Sequence, residues 1–553
     1  MSNINITVMG TPKTVPDDIT YKELSLEYEK DFPSSIMAVL DNHEFLGLEG
    51  HPEEGSDIKF LDLRHNFAFR TYSNGLALIM VAAVKEIFGN EENAIVEHSL
   101  RHNLYCEFKN PEIMPDVTTV SLIEKKMHEI VEKDLPIEKI PTPRREAIRI
   151  MERQGMTHTA RLFRYSRSQT VLLCKLGDTY DYYYGSTPYS TGSLKKFQLI
   201  SEGDGFLILL PSDIDPKLIV EYEGLPKMSK MFLDERDWLD SINVRNVSDL
   251  NDSLCEGTFP ELVYLNEAMH EKKIALIADR ILHRRNNVRV VLVAGPSSSG
   301  KTTFSNRLAQ HLRINGLQAR VISLDNYFKD RSEIPVDEAG KQDYENIDAL
   351  DLDRFNDDLS RLIEGEEVEM PIFNFVTGFR EEKGVKMQLG DNELFIIEGI
   401  HGLNSQLTRS IPKTKKFKIY ISAMTQLNID EHNRISTSDC RLIRRMVRDN
   451  LTRGTNGTDT LAIWSYVVRG EAKNIFPYQE EADAIFNSST VYELAVLKRY
   501  AEALLFKVSD DSPEYFTAQR ILKFLDYFVP APSEFIPKTS IIREFIGGGV
   551  YKI

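Results

Sequence analysis

The stretch that decides the fold runs from Val290 to Thr303, with Val290-Val291-Leu292-Val293-Ala294 leading into Gly295-Pro296-Ser297-Ser298-Ser299-Gly300-Lys301-Thr302-Thr303. It matches GxxxxGK[ST] at every fixed position, a pattern that composition alone produces on the order of 0.01 times in a chain this long. Phe304, Leu308 and Leu312 follow at i, i+4 and i+8. The spacing predicts a buried strand, a tight glycine loop and a helix packed on a sheet. Such a turn points backbone N–H groups and the positive end of a helix at phosphate oxygens. Gly295, Ser297, Ser298, Ser299, Gly300, Lys301, Thr302 and Thr303 are therefore the expected nucleotide cradle. Lys301 is placed to neutralise the β- and γ-phosphates of ATP, and the Thr302 hydroxyl to ligate Mg2+.

Outward from this loop, strand-like runs at 289–294, 320–324, 394–397 and 417–421 alternate with helical stretches. Alternation of that kind predicts an α/β domain, a parallel sheet with helices on both faces, over 289–495. A helical extension fills 496–553 and a helical linker 236–288, with Asn286-Asn287 as a hinge. Residues 1–62 read as a small β-rich unit, in which Ile4 to Val8 alternates and Thr14-Val15-Pro16-Asp17 is a turn. Residues 63–235 read as α+β. There Leu76, Met80, Ala83, Val84 and Ile87 recur at helical spacing, Thr170 to Leu176 is strand-like, and Pro141-Thr142-Pro143 marks a break.

At 553 residues the chain is too long for a single core. Its 84 acidic against 67 basic residues give a formal charge of −17, which disfavours nonspecific attraction to RNA or anionic membrane. RNA contact is left only to the N-terminal half. No apolar stretch reads as a membrane span, and Met1 to Gly10 lacks the order of a signal peptide. The four cysteines, Cys106, Cys174, Cys255 and Cys440, form no CxxC pair, which fits a reducing cytoplasm.

Six ordered segments between 289 and 490 resemble the uridine kinase branch of P-loop kinases, with phosphoribulokinase as a cousin. They are Gly295 to Thr303, Ser323 to Phe328, Asp343 to Asn346 with Ala349 and Asp351, Pro371 to Phe375, Ile397-Glu398-Gly399-Ile400, and Asp439 to Arg445 with Arg448-Asp449. The resemblance implies that Asp325, at the end of a strand, takes the proton from the attacking hydroxyl, a role suited to a carboxylate beside a weak nucleophile. It implies that Glu398 supports Mg2+ through water. Arg441, Arg444, Arg445 and Arg448 are spaced along one side of a helix. The resemblance makes that helix a lid, with Arg444 and Arg448 stabilising the transferring phosphoryl group and Arg441 reaching the substrate. Tyr327, Tyr344, Glu345 and Phe373 would face the acceptor. Three positions depart from animal-type uridine kinases: Glu345 stands for Asp, Phe373 for Tyr, and Gly378 for the histidine that reads the pyrimidine edge.

Residues 1–62 resemble the TGS domain that opens threonyl-tRNA synthetases, and 67 to about 200 resemble that enzyme's editing-type domain. The second likeness rests on Asn103 to Phe108, Glu124 to Pro136, Gly177 to Asp181, Ser190 to Gly192 and Phe197. The synthetase's metal-binding positions are occupied here by Tyr72, Leu76, Tyr183 and Thr187, none of them a good zinc ligand. His98 and His102 form an HxxxH beside a predicted strand, where four-residue spacing does not converge, and read as ordinary polar histidines.

These readings lead to an ATP- and Mg2+-dependent kinase acting on a small molecule, a nucleoside at its ribose 5′-hydroxyl. The alternatives are a kinase for another sugar or polyol, and a nucleotide-sensing or RNA-associated regulator without turnover. The resemblance also carries an expectation of a homo-oligomer.

Overall fold

The computed structural model describes residues 3–551 apart from 337–339, 341, 375, 376, 391 and 426. Phe375, part of one quoted segment, lies outside the described residues. The sheet around the glycine loop has five strands in the order Gln318–Ser323, Glu393–Glu398, Val290–Ala294, Lys416–Ser422 and Ala484–Asn487. All four pairings are parallel. Successive side chains of a strand leave by opposite faces, and the central strand shows the result. Val291 and Val293 join a core with Phe304, Leu308 and Leu312, while Val290 and Leu292 join another with Phe355, Leu359 and Leu362. Both faces are thus covered by helices, which is why every residue of this strand is buried.

Helices Pro226–Ser241, Val247–Glu256 and Phe259–Leu282 occupy the stretch expected as a linker. Leu239, Val247, Leu250, Val263, Ile274 and Ile281 lie in one apolar core with Val291 and Phe304. This stretch is a layer of the kinase core, and Asn286-Asn287 is a turn joining one layer to the next.

The N-terminal unit is a five-stranded sheet over Asn3–Leu61 with the short helix Tyr21–Ser25. Thr14 to Pro16, expected as a turn, belongs to the strand Thr11–Pro16. The chain reverses instead at Met9-Gly10, both with positive φ. Next comes a four-stranded antiparallel sheet carrying Ala94–Leu100 and Asn103–Phe108, and a three-stranded one in which Glu138–Pro143 is an edge. Pro141 and Pro143, expected to mark a break, sit in that edge strand, the position where a missing N–H is tolerated. Helix Asn66–Phe88 corrects a further expectation. It is long and apolar enough to cross a membrane by composition, but Leu76 to Val84 are buried without a break inside the fold. Most of its length is enclosed by protein, so its apolar character is that of a core helix.

The loop 427–434 of the kinase half threads into this region. The Glu431 carboxylate accepts from the main-chain N of His158 and Thr159 at 2.8 and 3.0 Å, and His432 Nδ1 lies 2.9 Å from Asp181 Oδ2. Asp439 on the first turn of helix Thr437–Arg453 takes Arg520 at 2.7 and 2.8 Å and Arg70 at 3.1 and 3.3 Å. Burial alone would raise the Asp439 carboxyl, but Arg520 and Arg70 outweigh it and hold it well below the usual carboxylate range.

Candidate active site

The loop from Gly295 turns at the C-terminal end of the central strand and opens helix Lys301–Ile314. Gly295 is required by contact: a Cβ there would lie 1.9 Å from the Ile421 carbonyl oxygen. Gly300 is required by conformation, with φ +82°, and Ser298 shares the left-handed region at φ +60°. Lys301 Nζ folds back over the loop and donates to the carbonyls of Gly295 and Pro296 at 3.0 and 3.1 Å. Its ammonium is therefore held above the cradle.

Thr302 Oγ1 donates to Glu398 Oε1 at 3.4 Å, bringing together the two oxygens expected to serve Mg2+. Among the described residues no group of three or more His, Cys, Asp or Glu is placed to hold a metal ion. Mg2+ needs no such cage, since one or two protein oxygens, substrate phosphates and waters complete its shell, and this hard-oxygen pair fits it. Glu398 is buried, and burial pushes its carboxyl up to about 7, with Asp325 and Glu544 adding to the rise and Lys301 opposing it.

Asp325 follows strand Gln318–Ser323 at the C-terminal edge of the sheet, where open α/β sheets bind ligands. Desolvation raises its pKa, and Lys301, Arg453 and Arg448 pull it back. Glu345 stands nearby. Burial and the Glu471 charge push its carboxyl up to about 7, and its Oε2 is buried without a hydrogen bond. Gly470 makes room for it, since a Cβ there would meet Glu345 Cβ at 2.4 Å.

The arginines divide in a way that helical spacing does not show. Arg441 forms a two-pronged pair with Glu471 at 2.5 and 2.7 Å and donates to the Ser297 carbonyl at 3.1 Å. Arg444 pairs with Glu493 and reaches the Ser298 carbonyl at 3.3 Å and the Ser488 carbonyl at 2.9 Å. Both side chains are buried and already neutralised, so they brace the loop from behind. Arg445 donates to Ser297 Oγ at 3.0 Å and pairs with Asp449, as does Arg448. These two, with Arg453, form the partly open cationic side facing Asp325 and Glu345. Arg441 and Arg444, expected at the substrate, are held in this structure by Glu471 and Glu493. The helix turns them toward glutamates that follow in later elements.

Tyr327 and Phe373 also lie deeper than expected. The Tyr327 hydroxyl donates to Asp358 Oδ2 at 3.1 Å while its ring packs edge-on to Phe355, and Phe373 packs beside Phe328 in the same core. Tyr344 lies edge-on to Phe328, its hydroxyl 3.4 Å from Gln342. The Arg331 side chain covers Gly378, its Cδ 3.1 Å from where a Cβ would stand. The sequence carried no sign of Glu471, Glu493 or Glu544. Each is a single acidic residue in a helical stretch, far in the chain from the loop it serves.

A parallel sheet with a glycine loop, its lysine, and carboxylates at neighbouring strand ends defines a P-loop nucleotide-binding kinase domain. Residues 290–495 match the model of the Phosphoribulokinase / Uridine kinase family. The uridine kinase of Leuconostoc citreum (strain KM20) is 30% identical over 165 residues, 30% of this chain and 70% of its own. That of Staphylococcus haemolyticus (strain JCSC1435) is 26% identical over 211 residues, 38% of this chain and 92% of its own. A solved structure described as a possible uridine kinase from Bacillus stearothermophilus is 18% identical, covering 39% of this chain and 98% of its own at a TM-score of 0.28, too low to add an argument. The chain belongs to the phosphoribulokinase/uridine kinase family through this C-terminal region.

Proposed function

We propose that the protein transfers the γ-phosphate of ATP to the ribose 5′-hydroxyl of a uridine- or cytidine-like nucleoside, giving the monophosphate and ADP. The observation that carries this reading is Asp325 at the sheet edge, under the influence of both Lys301 and Arg448. The acceptor oxygen attacks the γ-phosphorus while the Asp325 carboxylate takes the hydroxyl proton. The bond from that phosphorus to the bridging oxygen breaks, and its electrons leave with ADP. A raised pKa makes Asp325 a stronger base than an exposed aspartate. Lys301 holds the phosphates, and Arg445, Arg448 and Arg453 supply positive charge where it builds up in transfer. Thr302 and Glu398 would hold Mg2+, which would supply positive charge beside the phosphate oxygens. Tyr344 and Glu345 contact the acceptor.

Residues 1–62 and 63–235 are proposed as TGS-like and editing-like units, the second without hydrolytic chemistry, in a cytoplasmic protein.

A second reading keeps the chemistry and changes the acceptor to another sugar or polyol. It is favoured by Arg331, whose stem lies over Gly378 at the position where a base-reading histidine would project. ADP release with ATP and Mg2+ across nucleosides, pentoses and polyols separates the two, with Asp325→Ala as control. Turnover on one nucleoside, lost in the variant, supports the first reading. Turnover confined to sugars supports the second. ATP binding without turnover on any acceptor points to a sensor and removes both.

A further inference from the structure

The first turn of the loop helix already holds an anion belonging to this chain. Thr303 donates to Glu544 Oε2 through its main-chain N at 3.1 Å and its hydroxyl at 2.8 Å. With Gly300 as the N-cap, Thr303 is the third helical residue, and its N–H is among the unpaired donors that make a helix N-terminus an anion site. Glu544 is buried and lies on the short helix Arg543–Ile546, near the C-terminal end of the chain and outside the part that matches the kinase family.

Two neighbours of Glu544 grip the same site. Ile541 leans on the loop so closely that a Cβ on Gly300 would lie 2.5 Å from its Cγ2. The Phe545 ring stands 4.8 Å from the guanidinium of Arg444, the residue that braces the Ser298 carbonyl. Within five residues the segment thus touches the loop glycine, the first helical turn and the lid helix.

The segment makes its main-chain hydrogen bonds largely within itself. Among the described residues, the main-chain N–H bonds of Ile536, Ser540, Arg543, Glu544, Phe545, Ile546, Gly547 and Val550 all end on carbonyls between Ser533 and Ile542 or on Arg543. Arg543 ties the unit internally by donating to the Ser533 and Ile536 carbonyls at 2.8 Å. Among the described residues no strand pairing joins it to the sheet. It is held to the rest of the fold by apolar packing and by side-chain bonds such as Ser540 to Glu267 and Tyr551 to Gln310.

We propose that residues 536–546 are a built-in competitor of the nucleotide, with the Glu544 carboxylate held on donors of the loop helix that a substrate phosphate needs, so that ATP binds only as the segment swings away. A carboxylate and a phosphate cannot share one N–H, and their charges repel. Nucleotide affinity is then reduced by the fraction of molecules in which the segment is closed. The inference rests on the loop being the ATP site and not on the identity of the acceptor.

The test is binding of a fluorescent ATP analogue with Mg2+ to the full-length protein, without acceptor. Glu544→Gln and Glu544→Ala are expected to tighten binding about five- to tenfold, Ala at least as much as Gln. In the unmodified protein, saturating ATP is expected to speed hydrogen exchange of amides in 536–550, a readout that requires no variant to fold. Affinity unchanged or weakened in both variants, or exchange that slows on ATP binding, makes the segment a fixed wall of the site and overturns the proposal. Absence of binding in every form overturns it as well, because removing the carboxylate then opens nothing. A wrong acceptor leaves all these measurements untouched.

Discussion

Glu345 and Glu398 in the kinase half, and Tyr72, Tyr183 and Thr187 in the N-terminal half, are all polar groups shut away from water, yet they keep opposite company. Burial pushes both glutamates up to about 7, and Glu345 Oε2 has no hydrogen bond. The tyrosines are fully answered. Tyr72 Oη donates to the Lys196 carbonyl at 2.7 Å and accepts from the Lys196 N–H at 2.9 Å. Tyr183 Oη donates to Asp181 Oδ2 at 2.9 Å, Thr187 Oγ1 lies 3.5 Å from Cys174 Sγ, and Leu76 is fully buried in the core that holds Tyr72 and Tyr183. An enclosed polar group without a partner costs stability, so a fold retains one where a ligand completes it. Glu345 is an enclosed carboxylate with an unpartnered oxygen beside the glycine loop, whereas Tyr72 and Tyr183 are satisfied core residues.

The largest break in this comparison comes from Asp325. Asp325→Asn is expected to lower turnover about 10²- to 10⁴-fold while leaving the thermal midpoint unchanged or raised, because it removes an enclosed charge. ADP release and a melting curve on the same sample decide it. A collapse of the fold would make Asp325 structural instead.

Arg441→Ala tests whether the lid arginines divide as described. It would strand Glu471, which is fully buried, and is expected to destabilise by about 3–5 kcal/mol in denaturant unfolding. Arg448→Ala, at a more open position, should cost little stability and reduce turnover. The reverse pattern would restore Arg441 as the substrate contact.

Tyr183→Phe sharpens the N-terminal side. Loss of one donor to Asp181 is expected to cost about 1 kcal/mol with turnover unchanged, since His432 still faces that carboxylate. A specific loss of turnover would mean that the surroundings of Tyr183 communicate with the kinase half.

The smallest effect is a pH slope. His98 lies between the rings of Tyr105 and Phe232, with centroids at 4.5 and 4.0 Å, and burial, then Arg434 and Arg236, lower its pKa to about 3. An unfolded histidine titrates near 6.5, so below that pH the unfolded chain takes up a proton that the folded one refuses. Its contribution is intact above about pH 6.5 and is lost progressively as pH falls toward 3. The loss should be below about 1 kcal/mol at pH 6. His98→Phe should flatten that part of the stability curve, and an unchanged slope would remove His98 as its source.

The loop, its helix, four of the five sheet strands and the carboxylates at their ends were legible because each is written locally, in periodicity or in a contiguous motif. The last strand, Ala484–Asn487, is only four residues long and carries no alternation to mark it. Strand Thr11–Pro16 was masked by Pro12 and Pro16, which suit turns equally well. Helix Asn66–Phe88 shows the limit from the other side, since apolar composition is the same for a core helix and a membrane one, and only its surroundings distinguish them.

By itself the sequence determined the strand, loop and helix around Gly295 to Thr303 and put Asp325 and Glu398 at the ends of neighbouring strands. Strand, loop and helix there are consecutive, and local sterics admit few alternatives. Only the tertiary structure decided which arginines face the cleft, that Arg331 covers Gly378, and that Glu544 reaches Thr303 across 241 residues of chain. Those outcomes depend on which distant side chain arrives at a given face. The physical reason is that a buried charge must be met by a partner, and helical spacing sets where the charge points but not who meets it.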